Sequence, residues 1–386
     1  MGIPNVKFEI LNGELGGTNP AGDGIAGLIL SHEATVELAL NTPVVIFSPT
    51  DAEDLLITGF ALDEINDFYS KAGEGQELWI MIVSDASLLA DICDVTNDIA
   101  KKLLTQSGGR VKIWGVNIEK PDTYVADQTE GIDLDAYDAM TNAHALTEAM
   151  AAKYVPTRVV IPGREWDGDF AKLRDLKTAS QNRVQITLHG TMDGNEAKVG
   201  FLVGLYSSIA VQRNIGRVAS GDLGVTEAYL TDGETTAEES VNMADAIHDK
   251  GYVLPIKRFG KSGYFYNDDP TATSNADDYS SFARGRVMDK VQRIAYAVYL
   301  EFVNDDYQVS PSGGISIGEL KRLQGQIDDA VNQTMTAADE ISGFASYVDP
   351  AQDTLATGQT RVKLKVQPRG YHKELVVEMG LTKTLE

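Results

Sequence analysis

From Val44 onward, short apolar runs take turns with stretches whose apolar residues recur at helical spacing, and this alternation dictates the fold class. The runs at 44–47 and 78–83 are too short for helices and read as strands, the second buried on both faces. Between them, Thr50 and Glu53 stand at capping-box spacing ahead of a helix carrying Leu55, Leu56, Ile65 and Phe68, with a break expected near Gly59. Leu88, Leu89, Ile92, Ile99 and Leu103 share one helical face. Strands at 111–116, 158–161 and 184–188 alternate with helices near 134–153 and 168–179, and the apolar segment 199–209 is expected to pack on the sheet. Thr236 and Glu239 cap a helix that runs to about Lys250 and leads into a strand at 252–256. Strands separated by helices imply an α/β domain with a mostly parallel sheet.

Beyond the polar stretch 267–278 the pattern becomes α+β. One long helix starts near Ser280 with the stripe Val287, Val291, Ile294, Val298 and Phe302. A second, opened by Ser316 with Glu319, carries Leu320, Leu323, Ile327 and Val331. Strands at 361–366 and 374–379 follow, then a tail. At the other end, Val6, Phe8 and Ile10 alternate with Lys7 and Glu9 as a short strand with one apolar face. Gly13, Gly16, Gly17, Gly22 and Gly24 then make a tether or hinge, so residues 1–24 read as an arm. The divisions are the arm and hinge at 1–24, an α/β domain at 25–265, a C-terminal domain at 266–373, and a last strand and C-terminal arm at 374–386.

Acidic residues outnumber basic ones 57 to 33, a net charge of −24. Nucleic acid and anionic membrane surfaces repel such a chain, and a packed assembly of it needs basic patches or screening at its contacts. No apolar run reaches the roughly 18 residues of a membrane span, and no secretory leader is expected. Cys93, among Leu89, Ile92 and Val95, reads as a buried structural thiol.

Few residues point to chemistry. Gly22, Gly24 and Gly27 satisfy the spacing of a dinucleotide loop, but the preceding strand ends well before them and 28–30 reads as strand, which favours a hinge. His32, His144, His189, His248 and His372 lack metal-ligand spacing. Asp268, Asp269, Asp277 and Asp278 match no calcium loop and read as a solvated turn. No catalytic residue, cofactor or metal is therefore expected.

The C-terminal third resembles the contractile tail sheath family, which includes phage sheaths and those of R-type pyocins. The likeness begins at Lys250, Gly251 and Tyr252, and continues through Phe282, Arg284, Arg286, Met288 and Asp289, similar to the R-x-R-x-x-D segment that opens a long helix in sheaths. A helix at 317–334 and a strand–loop–strand through 361–366, 368–372 and 374–379 complete it. More loosely, Thr42, Pro43, Val44, Val45, Ile46 and Phe47 with Asp51 and Ala52 look like the first strand and helix of the sheath α/β domain. The chain departs from the family at 255–267, where many sheaths carry W-G-x-R-T.

The resemblance implies a structural subunit rather than an enzyme. Subunits would stack as hexameric rings around a tail tube protein, between baseplate and tail terminator proteins, in a virion tail assembled in the host cytoplasm. Extended arms would add strands to sheets of neighbouring copies. It implies Val6, Phe8 and Ile10 as the N-arm and Leu375, Val376, Val377, Met379 and Leu381 as the C-arm. The acceptor strand would be that of Val362, Leu364 and Val366, or else the last strand. Lys321, Arg322, Asp328 and Asp329 are candidates to touch the tube. Two other readings stay open: the sheath of a bacterial contractile injection system or tailocin, and a soluble nucleotide-binding α/β enzyme.

Overall fold

The computed structural model describes residues 22–121, 123–192, 194–310 and 314–381. In chain order the elements are β1 (Ala26–Ser31), β2 (Val44–Ile46), α1 (Pro49–Asp54), α2 (Gly59–Ala72), β3 (Leu78–Val83), α3 (Leu89–Cys93), α4 (Ile99–Gln106), β4 (Ile113–Asn117), α5 (Leu134–Ala151) and β5 (Arg158–Pro162). There follow β6 (Ser180–Gln181), β7 (Val184–Thr187), β8 (His189–Thr191), β9 (Gly194–Ala197), α6 (Val199–Ser208), β10 (Tyr229–Leu230), α7 (Val241–Asp249), β11 (Pro255–Ile256), β12 (Phe265–Tyr266) and β13 (Ala272–Thr273). The last are α8 (Phe282–Leu300), α9 (Ile317–Val331), β14 (Ile341–Val348), α10 (Thr354–Thr357) and β15 (Val362–Pro368). Two compact units divide at Ala297 and Val298, inside α8 and beyond the break read near 265. The first turns of α8 belong with the first unit because Phe282 is part of its core.

Six strands of the first unit form one sheet in the order β2-β3-β1-β4-β5-β7, parallel except for β2 at the edge. Both faces are covered, so the strands are continuously apolar. Ile29 of β1 enters a core with residues of α3, α4 and α5, while Leu28 and Leu30 enter another with α1, α2 and α6. The α/β class and the parallel sheet follow from the alternation in the sequence.

Several local expectations are corrected, each for a physical reason. The first helix is capped by Ser48 and Asp51, not Thr50 and Glu53, because Pro49 takes the first helical position. The stripe from Leu88 to Leu103 is two helices, broken where Asp94 caps a turn at Thr96 and Asp98 turns left-handed (φ 55°). No helix forms at 168–179, only a 3-10 turn at Leu176–Thr178. There Asp167, Asp169 and Asp175 each accept the N–H two residues on, a local turn that competes with the helix. Thr236 and Glu239 do form their reciprocal bonds, but the helix starts later, at Val241.

His189 is buried, its Nδ1 2.7 Å from the hydroxyl of Tyr266. Asp269 accepts from Ser281 and from the N–H of Ala283, bonds that hold the start of α8. Among the described residues no group of three or more His, Cys, Asp or Glu could hold a metal ion.

In the second unit Ser316 caps α9 by accepting from Glu319 N–H, and Leu320, Leu323, Ile327 and Val331 are its buried stripe. The antiparallel pair β14–β15 completes this unit's sheet. β14 escapes the sequence reading because its Ser and Gly residues dilute the apolar alternation.

Candidate assembly surface

The second unit is a small core with a two-stranded ribbon laid on it. Ile315, Leu320, Leu323 and Val348 form the centre, with Tyr299, Phe302, Tyr307 and Val362 packed around them. In the ribbon, Phe344 stands opposite Val366, Ser346 opposite Leu364 and Val348 opposite Val362.

Side chains of α9 determine which edge of this ribbon is open. The N–H of Ser346 donates to the Asp328 carboxylate at 3.1 Å, and its carbonyl accepts from the Gln324 amide at 3.0 Å. The main chain of Ser346 therefore turns away from β15, which makes Ser346–Leu364 a non-hydrogen-bonded pair. By the alternation of an antiparallel ladder, the pairs Phe344–Val366 and Val348–Val362 are of the same kind. The ladder bonds run through Lys363 and Lys365. The main-chain groups of Val362, Leu364 and Val366 point to the far edge of β15, where no strand among the described residues pairs. β14 is thus capped by a helix, and β15 presents unpaired donors and acceptors to solvent.

The expected strand at 374–379 does not form, and no strand among the described residues pairs with it. Leu375, Val376, Val377, Met379 and Leu381 are all exposed, Val377 at 73% and Met379 at 91%. Of the α9 candidates, Arg322 is tied to Glu319 at 3.0 Å and Asp305 at 2.8 Å, and Asp328 is held by Ser346. Lys321 and Asp329 remain exposed.

Val6, Phe8, Ile10, Gly13, Gly16 and Gly17 lie outside the described residues. Gly22 (φ 69°) is in the turn before β1. Gly24 is not a hinge but a packed position. Its carbonyl accepts from Gln76 at 2.9 Å and from Ser207, and a Cβ there would collide with the Ser207 carbonyl. Asp23 beside it is pinned to α8 by Lys290 and Arg293, each at 2.6 Å. Any tether therefore ends before Asp23, an anchor that no local pattern in the sequence announces.

The segment that resembles the R-x-R-x-x-D of sheaths docks α8 on the sheet of the first unit. Asp289 accepts from Arg158 at 2.8 Å and Arg183 at 2.9 Å, and Arg286 donates to the carbonyls of Tyr206 and Ile209. Arg284 of the same motif is half-buried.

The nucleotide reading meets two obstacles. Gly22, Gly24 and Gly27 lie before or within β1, whereas open α/β sheets bind ligands beyond the carboxyl ends of their strands. Past the carboxyl end of β5, Arg164 is buried against Asp133 at 2.7 Å and Asp135 at 2.9 Å. A recess of about 470 Å³ nearby is lined by Phe60, Asp63, Asp67, Glu119, Glu196 and Lys198, a balance that repels phosphate. Glu64, also on its wall, accepts from Gly200 N–H at 2.6 Å. Burial, with Asp67 adding to it, raises the Glu64 pKa to about 8.

The family model described as the DUF2586 N-terminal domain matches residues 3–270, and that of the DUF2586 C-terminal domain matches 278–386. The chain belongs to the DUF2586 family. No curated protein matches the sequence. Among solved structures, this DUF2586 chain is similar to the contracted helical sheath of the anti-feeding prophage, with TM-score 0.65, 14% identity and 100% of both chains covered. It is similar to the contracted sheath of the PVC extracellular contractile injection system, with TM-score 0.62 and 13% identity over 99% of this chain and 98% of that one. The sheath tail protein of Desulfitobacterium hafniense gives TM-score 0.51 at 11% identity, over 95% of this chain and 100% of that one. The DUF2586 chain thus has the contractile tail sheath fold along its length, an α/β unit followed by an α+β unit. No described helix is long and apolar enough to cross a membrane.

Proposed function

We propose that this chain is the structural subunit of a contractile sheath and not an enzyme. Copies stack as hexameric rings around a tube protein, between baseplate and terminator proteins, and contraction drives the tube through a target envelope. The observation that carries this reading is the open edge of β15 on a chain with the sheath fold. Strand addition there gives main-chain hydrogen bonds to an extended segment from a neighbour. The exposed residues 375–381 have the composition for such a segment. Val6, Phe8 and Ile10 supply a second one, with Gly13, Gly16 and Gly17 as its hinge. Contraction is then a rigid-body rearrangement on preserved links, driven by added buried surface. Lys321 and Asp329 are the α9 residues still available to a tube. Assembly takes place in the host cytoplasm. A second reading places the sheath in an extracellular injection particle rather than a phage tail, supported by the likeness to the anti-feeding prophage and PVC sheaths.

Negative-stain microscopy tests this on the purified chain beside variants lacking residues 1–20 or 374–386. Hollow cylinders from the full chain and none from the truncations are expected. Monodisperse particles from the full chain at every salt concentration would sink the proposal.

A further inference from the structure

The sheath reading leaves the β11–β12 hairpin without a task. Between Tyr252 and Asn267 the chain carries Lys257, Arg258 and Lys261 and no acid, in a protein of net charge −24. The base of the hairpin is fixed. Ile256 pairs with Phe265, Leu223 N–H donates to the Tyr264 carbonyl at 2.8 Å, and the Tyr264 hydroxyl donates to Glu238 at 2.6 Å. The tip is a tight turn, Arg258 to Lys261, closed by Lys261 N–H on the Arg258 carbonyl at 3.1 Å. Gly260 has φ 78° at the third position, as a type II turn requires, and Phe259 at the second projects outward.

Phe259 is 90% exposed, the most exposed aromatic side chain among the described residues. Beside it, the Nε of Arg258 is shielded from solvent and has no hydrogen-bond partner. A single exposed apolar side chain is ordinary. Here, however, a defined turn presents it between Arg258 and Lys261, the aromatic-plus-arginine pairing that anchors protein interfaces.

We infer that this tip is a contact between subunits, in which Phe259 is buried against a carboxylate-rich surface of a second copy while Arg258 and Lys261 pair with its acids. Charge complementarity selects that partner. Copies with so large an acidic excess repel one another except where a cationic element meets them, and this hairpin is such an element. The inference rests on the polymer reading but involves neither arm.

The test compares Phe259→Ser and Lys261→Glu with Lys153→Glu, which makes the same charge change at another exposed lysine. Pelleting and microscopy across a salt series read the protein concentration needed for cylinders, and thermal melting checks folding. Phe259→Ser and Lys261→Glu should raise that concentration roughly tenfold or more, as loss of an interface anchor does, with melting and the Lys153→Glu variant unchanged. Cylinders from Phe259→Ser at the wild-type concentration would overturn the contact and leave the sheath reading standing. An equal loss in Lys153→Glu would reduce the effect to bulk charge and also overturn it. A wild-type chain that never polymerises would overturn both.

Discussion

The carboxylate of Asp289 on α8 lies 2.8 Å from the Nε of Arg158 on β5, with both side chains shut away from solvent. Its other oxygen is 2.9 Å from Arg183. Removing one member of a buried ion pair strands the other, at a cost on the order of 3–5 kcal/mol. Asp289→Ala is expected to lower the urea midpoint accordingly. Pairing it with Arg158→Met should recover part of the loss, because no buried charge is then left alone at that site.

Gly285 stands one turn before Asp289, and a Cβ there would occupy the space of the Arg158 guanidinium. Gly285→Ala in a helix interior would ordinarily gain about 1 kcal/mol. Here it should destabilise instead, because the guanidinium must leave Asp289. A denaturation curve shifted to higher urea would refute that packing.

Glu64 gives stability a pH dependence of definite sign. Its folded pKa of about 8 lies above the ordinary 4.5, so the folded state keeps a proton that the unfolded chain loses. That contribution is complete below about pH 4.5 and is lost as pH rises toward 8. Glu64→Gln should therefore match wild type near pH 4 and exceed it at pH 9 by on the order of 5 kcal/mol. His189 acts oppositely. Burial, with Lys198 adding to it, lowers its pKa to about 3, so stability falls as pH drops below 6.5. Melting temperatures from pH 4 to 9 would show both flanks.

The ladder geometry separates two proline substitutions. Leu364→Pro deletes an N–H that points to the open edge, whereas Lys365→Pro deletes one that bonds to β14. Proline is tolerated on the solvent side of an edge strand and not within a ladder. Leu364→Pro should keep the melting behaviour and abolish cylinders. Lys365→Pro should lower the melting temperature as well. Cylinders from Leu364→Pro would exclude this edge as the acceptor.

Cys93 is fully buried, and burial, with Asp135 adding to it, raises its thiol pKa well above the usual value. A thiol reagent at pH 8 should label the native chain only as fast as it opens, and urea should release the reaction.

The parallel sheet was legible because strands buried on both faces are continuously apolar, as in β3. A different rule, the period-two alternation of Val362, Leu364 and Val366 with Lys363 and Lys365, placed a strand there. What stayed hidden depends on distant partners. Asp23 looks like any loop acid until Lys290 and Arg293 close on it. Gly24 resembles a flexible glycine, yet the Ser207 carbonyl explains it. β14, whose Ser and Gly residues break the apolar alternation, takes its place from α9. The orientation of its edge could not be read at all without Asp328 and Gln324.

That α9 caps one side of the ribbon would give each subunit of the proposed sheath a limited valence. A hairpin bare on both sides could recruit extended chain in either direction and run on into an unbounded cross-strand stack of the amyloid kind. With Ser346 already satisfied, strands can join on the β15 side only. On the proposed strand addition, association there would end once the guest segments are seated, so the same stickiness that could make fibrils would yield a countable linkage.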